Sequence, residues 1–134
     1  MQVMAQADRD ALKVCRLQRQ ALRRIREEAL EMRALQPGMR AVRHDGMPRQ
    51  RAADPMADYV SRLDEIDRRY MRELHGMVEK EHAARAALDR LIPPPRLYAF
   101  LLQYYIDDAG FEASCEAAGV STRQGQRYKR MVEG

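Results

Sequence analysis

Basic and amide side chains cluster near one end of the 134-residue chain, in the segment STRQGQRYKR. Arginine and glutamine can each bind two atoms of a base edge, while lysine and arginine neutralise phosphate. The predicted contact residues are Ser121, Thr122, Arg123, Gln124, Gln126, Arg127, Lys129 and Arg130. We expect Arg123, Gln124 and Arg127 at base edges, and Lys129 and Arg130 on phosphate.

A turn at Gly119 predicts how these side chains are positioned. The segment from Gly110 to the end has the pattern of a short helix, a tight turn and a second helix, which is typical of a helix-turn-helix. Gly119 supplies the left-handed backbone of the turn, and Cys115 is small enough for the helix crossing. Ser121 can cap the second helix, and Gln124 three residues later completes a capping box.

Two positions depart from the usual pattern. Ser114 stands where a large aliphatic residue is normal. Gly125 lies inside the second helix, where it costs about 1 kcal/mol relative to alanine and is expected to remove core contacts. The same segment could therefore be a helical hairpin with a solvated basic face, or a degenerate fold kept for protein contacts.

The charge distribution supports a bias toward polyanions at both ends of the chain. The formal net charge is +4 and the isoelectric point about 9.3. Residues 1–53 carry a net charge of +6, residues 54–95 a net charge of −2, and residues 96–134 are balanced. Four of the five basic residues in the last stretch lie within Arg123–Arg130. With 33% charged and 6% aromatic residues, the chain suits exposed helices more than a thick core.

Two long amphipathic helices are predicted before the basic cluster. The first covers about Ala7–Leu35, with coiled-coil-like apolar spacing that Gln18 interrupts. The second begins at Asp54-Pro55, with aspartate as the N-cap, and ends at Leu91 or Ile92 before three prolines. Its apolar stripe comprises Tyr59, Leu63, Ile66, Tyr70, Leu74, Met77, Ala84, Leu88 and Leu91. A stripe this long must be covered by the first helix, by another chain, or by both.

The predicted organisation is all-α, with a helical stalk over residues 1–92 and a helix-turn-helix head over residues 96–134. Residues 36–53 form a basic linker that carries Arg40, Arg43, Arg49 and Arg51 and has Pro-Gly and Asp-Gly turn signals. In the head, Arg96–Ile106 is predicted as one short helix. Asp107 and Asp108 are expected to cap the helix that follows. The tyrosines Tyr98, Tyr104 and Tyr105 are expected to pack in the core or at its rim rather than stack on bases.

Several function classes lack support in the sequence. It contains neither a glycine-rich phosphate loop nor a cysteine-histidine metal set, so we expect no enzymatic activity, cofactor or metal. Cys15 and Cys115 lie far apart, which favours reduced thiols in a cytoplasmic protein. The chain has neither a membrane-spanning apolar run nor a secretory leader, so no membrane partner is expected.

The order of these features resembles an ArpU-like family of prophage transcriptional regulators, whose C-terminal part is similar to the sigma-factor region-4 helix-turn-helix. The resemblance rests on the long first helix, Gly46-Met47-Pro48-Arg49, the prolines before Arg96, LLQYYIDDAGF at Leu101–Phe111, and AGVSTRQGQRYKR at Ala118–Arg130. It implies a phage or prophage regulator that binds promoter DNA, with RNA polymerase as a further contact. Phe111 stands where the family has tryptophan, and Gln103 or Tyr104 near its usual arginine.

The leading hypothesis is a non-enzymatic, DNA-binding transcriptional regulator that forms a homo-oligomer through its long helices. One alternative is a DNA-packaging protein like a terminase small subunit, for which a measured mass should indicate a ring. Another is a protein-interaction module that does not read DNA, which should fail to bind any duplex at low salt.

Overall fold

The structure is a computed structural model that describes residues 4–35 and 54–134. Within these ranges the chain is helical, which confirms the all-α prediction and its pair of long helices. The elements are α1 (Gln6–Ala34), α2 (Pro55–Leu91), α3 (Pro95–Leu101), a π-helical segment (Leu102–Ile106), α4 (Phe111–Ala118) and α5 (Thr122–Glu133). The predicted basic linker, with its four arginines, lies outside the described residues.

Both ends of α2 agree with the prediction. The Met56 amide donates a hydrogen bond of 3.1 Å to Asp54 Oδ1, and Pro55 is the first helical residue. The helix ends at Leu91, because Pro93 has no N–H to continue the backbone ladder. Ile92 follows the last turn, donates from its amide to the Leu88 carbonyl oxygen at 3.1 Å, and has a left-handed φ of 47°.

The contacts divide the chain into two compact units. The larger unit contains the described residues up to Leu22 together with Glu73–Gly134, and the smaller unit contains the described part of Arg23–Arg72. This division differs from the predicted one between stalk and head. The first part of α1, up to Leu22, and the second half of α2, from Glu73, belong to the same unit as the C-terminal helices.

In the larger unit, α1 and α2 pack antiparallel. Asp8 near the start of α1 pairs with Arg90 near the end of α2 at 2.5 Å, and Arg19 pairs with Glu81 at 2.5 Å. The apolar residues between these pairs are buried, among them Leu12, Cys15, Ala84, Ala87 and Leu88. Burial of this apolar surface is the main stabilising contribution, because partly exposed ion pairs contribute little.

Gln18, which interrupts the predicted stripe, is a buried polar contact between the two helices. Its Nε2 donates to the Glu73 carbonyl oxygen at 2.8 Å and to Glu73 Oε2 at 2.6 Å. The Lys80 ammonium donates to Gln18 Oε1 at 2.9 Å. Since these bonds use both ends of the amide, they favour one register of the helix pair.

The smaller unit repeats the antiparallel arrangement. Ile25 of α1 and the α2 residues Tyr59 and Ile66 are buried, and Arg69 forms an ion pair with Glu28. The predicted stripe of α2 is therefore the covered side of that helix. The covering helix comes from the same chain.

The C-terminal core is aromatic, as predicted. The Phe100 ring stacks on Tyr104 at a centroid distance of 5.5 Å and contacts Phe111 at 6.0 Å and Tyr128 at 5.6 Å. Tyr104 and Tyr105 are buried, and Tyr98 is 37% exposed at the rim. The prediction that these tyrosines serve packing is confirmed.

The predicted helix over Arg96–Ile106 is present, but its second half is the π-helical segment and not an α-helix. The Asp107 amide donates to the Leu102 carbonyl oxygen five residues earlier, at 2.9 Å. Three consecutive side chains, Tyr104, Tyr105 and Ile106, are buried here. An α-helix with one covered face cannot bury three successive residues, whereas the wider turn directs them to different neighbours.

The prediction that Asp107 and Asp108 cap the next helix is also wrong. Gly110 is the N-cap of α4, and no side chain caps it. Asp108 is 4% exposed with a φ of 53°, and its Oδ1 accepts hydrogen bonds from Arg16 Nε at 3.1 Å and Gln20 Nε2 at 3.2 Å. The carboxylate therefore binds α1 instead of the start of α4.

Candidate nucleic-acid interface

The turn that positions the basic helix has the predicted geometry. Gly119 has a left-handed φ of 68°. The Val120 amide donates to the Cys115 carbonyl oxygen at 3.0 Å, and the Gly119 amide donates to Glu116 at 3.1 Å, which closes the end of α4. Ser121 Oγ accepts a hydrogen bond of 3.2 Å from the Gln124 amide, so the serine caps α5.

Gly125 and Ser114, the two residues that depart from the usual helix-turn-helix pattern, are both compatible with tight packing. A Cβ atom on Gly125 would lie 2.4 Å from Cys115 Sγ and 3.1 Å from the Phe111 ring. The expectation that Gly125 loses core contacts is therefore wrong, because the Cys115 sulfur and the Phe111 ring already occupy the space that a side chain at this position would need. Ser114 is fully buried, and its Oγ donates to the Gly110 carbonyl oxygen at 2.9 Å. A polar side chain is thus satisfied within α4.

The structure brings half of the predicted contact residues onto one face of α5. Arg123, Gln126, Arg127 and Arg130 follow one another at steps of three, one and three residues, which places them on the same side of a helix. All four are exposed, whereas Gly125 and Val132 on the opposite side are buried. We call these four residues the basic face.

The other predicted contact residues lie elsewhere on α5. Ser121 and Thr122 are exposed at the helix start, where backbone N–H groups and the positive end of the helix dipole favour phosphate. Gln124 is half-buried in a groove with Leu97 and Tyr128. Lys129 is half-buried, and its ammonium lies 5.6 Å from the centroid of the Tyr104 ring. This position directs Lys129 toward the core more than toward solvent.

The basic face keeps its charge available for a partner. Within residues 4–35 and 54–134, Arg123, Arg127 and Arg130 form no ion pair. The exposed side chains of α4 are acidic at Glu112 and Glu116. Phosphate contacts are therefore expected from α5 and not from α4.

Side chains from α1 contact the π-helical segment and the turn that follows it, and the sequence did not predict these contacts. The Arg16 guanidinium lies 3.9 Å from the centroid of the Tyr104 ring and also bonds to Asp108. Arg19 Nε donates to the Ile106 carbonyl oxygen at 2.9 Å. Helix periodicity alone does not show which arginines of α1 meet a distant segment of the chain, so the sequence did not indicate these contacts.

Burial controls the titration of the core groups near the site. It raises the pKa of the Cys15 thiol to about 11, and it raises the pKa of the Cys115 thiol as well. Burial is also the main cause of the raised pKa of Tyr105, whose hydroxyl donates to Glu133 Oε2 at 2.8 Å. Both cysteines are free and buried, so these groups are structural and protonated at neutral pH.

The described residues contain no cluster of three histidine, cysteine or acidic side chains that could hold a metal ion. None of the described helices combines the length and apolar character needed to cross a membrane.

Comparisons of the chain with protein-family models, curated proteins and solved structures find no match. The candidate site therefore has to be interpreted from its own geometry.

Proposed function

We propose that the chain is a non-enzymatic transcriptional regulator that binds double-stranded DNA in the cytoplasm of a bacterial host through α5. The observation that carries the proposal is the basic face. It displays three arginines and a glutamine on one side of a helix held by a left-handed turn and a serine cap. A helix with this display fits the width of the major groove.

The basic face divides by chemistry and by position along α5. Arg123, Gln126 and Arg127 lie in the first half of the helix, where residues of a recognition helix usually meet base edges. Arginine prefers the O6 and N7 atoms of guanine, and glutamine prefers adenine. Arg130 lies a turn later and suits a phosphate contact. The preferred site should therefore contain guanines, with an adenine as the base opposite Gln126.

Selection of bound duplexes from a random library, followed by mobility shifts over a salt series, tests the proposal. Arg127→Ala should cost about 1–3 kcal/mol and relax the preference at one base pair. Arg68→Ala is the matched control. It removes the same charge from an exposed position on α2 and should leave the sequence preference unchanged.

Two outcomes would overturn the proposal. One is the absence of duplex binding at low salt, which would favour a module that contacts only proteins. The other is equal binding by the wild type and by a variant with alanine at Arg123, Arg127 and Arg130. That result would show that any affinity arises outside the basic face.

A further inference from the structure

We propose that a groove between α1 and α2 in the smaller unit is the interface of a homodimer, and that its occupant is the same groove of a second copy. The groove has a volume of about 320 Å³, and the residues that line it lie within 25–33 of α1 and 66–70 of α2. The sequence predicts association through the long helices but does not identify the surface that forms it. The proposal is independent of DNA binding by α5.

The groove exposes apolar surface that the pairing of α1 with α2 leaves uncovered. Leu30 and Tyr70 line it; Leu30 is 58% exposed and Tyr70 is half-buried. Exposed apolar residues continue along the same side of α2 at Val60 and Met71, which lie seven residues before and four residues after the lining residue Asp67. This surface extends over about three helical turns. An elongated surface of this kind fits another helix better than a compact ligand.

The charges in the groove indicate that the occupant is a second copy. Arg26 and Arg33 line it on α1, and Asp67 lines it on α2. All three are exposed, and none forms an ion pair among residues 4–35 and 54–134. By contrast, Glu28 and Arg69, which do not line the groove, pair with each other. An anionic amphiphile or an acidic peptide would meet the Asp67 carboxylate, whereas a surface with both signs of charge can pair with a rotated copy of itself.

The levels of the charged residues select the orientation of the two copies. The ion pair between Glu28 and Arg69 shows that these two residues are level with each other in the hairpin. Because the helices are antiparallel, Asp67 is then level with the stretch of α1 between Arg26 and Arg33. A two-fold axis parallel to the helices places α1 of each chain against α2 of the other, with each Asp67 carboxylate between two arginines. An axis across the helices would place α1 on α1 and bring arginines together, which is unfavourable.

Two leucines of α1 test the apolar part of the interface. Leu30 lines the groove, whereas Leu17 is 63% exposed and does not line it. The wild-type chain should sediment as a dimer. Leu30→Glu should raise the dimer Kd about a hundredfold, roughly tenfold for each of the two copies, because each leucine loses its burial in the interface. Leu17→Glu is the matched control and should leave the Kd unchanged. Both variants should keep the wild-type circular dichroism, since each side chain is exposed in the single chain.

Charge reversal tests the pairing of the two copies. Asp67→Arg should be monomeric, and so should the double variant Arg26→Asp with Arg33→Asp, because each places like charges at both contacts. An equimolar mixture of these two variants should form a heterodimer, in which both contacts join opposite charges. A chain with all three substitutions should again form a homodimer. Asp89→Arg, which reverses an exposed aspartate of α2 outside the groove, should stay dimeric.

The proposal is overturned if the wild-type chain sediments as a monomer at high micromolar concentration, or if Leu17→Glu dissociates the dimer as strongly as Leu30→Glu. A folded triple variant that stays monomeric would contradict the contact between α1 of one chain and α2 of the other. Binding of dodecanoate to a monomeric wild-type chain, lost in Leu30→Glu, would identify the groove as a site for an amphiphile instead. Because sedimentation is measured without DNA, its outcome is separate from duplex binding by α5.

Discussion

Gly125 shows that a single absent side chain can determine how two helices meet. Gly125→Ala gains about 1 kcal/mol of helix propensity, but its Cβ would lie 2.4 Å from Cys115 Sγ. Overpacking of this kind costs roughly 1–3 kcal/mol, so we expect a net loss of stability. The loss should appear as a lower denaturant midpoint in urea unfolding.

A second substitution tests the cause of that loss. Cys115→Ala removes the sulfur that the new methyl group would meet. The double variant Gly125→Ala with Cys115→Ala should therefore be more stable than the sum of the two single effects predicts. Strict additivity would contradict the close contact, whereas a positive coupling free energy would confirm that α4 and α5 meet at this pair.

Because the Cys15 thiol is buried, we expect the folded chain to lose stability in alkaline solution. Burial raises the pKa of its thiol from 9.0 to about 11 in the folded chain. The folded state thus retains a proton that the unfolded state releases, so stability is full below pH 9 and falls as the pH rises toward 11. The raised pKa of Cys115 acts in the same direction. Unfolding midpoints measured from pH 8 upward should decline less steeply in Cys15→Ala than in the wild type; equal slopes would be inconsistent with this account.

Residues whose role is local could be predicted from the sequence, and residues with distant partners could not. Gly119 and Ser121 act within one turn of the backbone, so residue type and spacing were sufficient. Gly125 and Asp108 depend on Cys115 and Arg16, which approach only after the chain has folded. From the sequence, a glycine inside a helix therefore indicates a destabilised helix, and an aspartate in a turn indicates a helix cap. In the folded chain, both residues instead make tertiary contacts.

At the scale of elements, two neighbouring cations of α5 have different surroundings, and we therefore expect different roles for them. Arg130 is exposed on the basic face, whereas Lys129 is half-buried near the Tyr104 ring. Arg130→Ala should weaken binding to all duplexes alike and reduce the slope of log affinity against log salt by about 1. Lys129→Ala should change that slope less and lower stability more. Mobility shifts and thermal unfolding on both variants measure the two effects, and a larger slope change in Lys129→Ala would reverse the assignment.

The long helices were more predictable than the short ones. Asp54-Pro55 and the three prolines after Ile92 set both ends of α2 through backbone chemistry alone. The π-helical segment was not predictable, because its wide turn follows from burying Tyr104, Tyr105 and Ile106 together. That burial requires Phe100, Phe111 and Glu133 to be in place, and such contacts are not encoded in local periodicity.

At the scale of the molecule, the C-terminal helices belong to one structural unit with the part of α1 up to Leu22. The turn after the π-helical segment is held by α1, through Arg16 and Gln20 on Asp108 and through Arg19 on the Ile106 carbonyl oxygen. Arg16 also covers the Tyr104 ring, against which Lys129 of α5 lies. The position of α5 therefore depends on contacts of α1, whose Arg16 lies 92 residues before its partner Asp108.

This dependence predicts that the C-terminal helices do not fold alone. A fragment with residues 96–134 lacks the α1 partners of Asp108 and the buried surface of Leu12 and Cys15. Fewer than about forty residues rarely bury enough apolar surface for independent stability. We expect weak helicity by circular dichroism and no cooperative thermal transition. Adding a second fragment with residues 4–92 should restore both, because it supplies the missing contacts in trans.

A fragment of residues 96–134 that melts cooperatively by itself would instead support the division into an independent head and stalk. The substitution Arg16→Ala in the full chain distinguishes the two descriptions without truncation. If α1 is part of the unit, hydrogen exchange in the π-helical segment and α5 should accelerate when the guanidinium is removed, while the smaller unit keeps its exchange rates. If the head is independent, exchange in α5 should not change. Because Arg16 is not on the basic face, slower duplex association in this variant would then reflect a displaced α5 rather than a lost DNA contact.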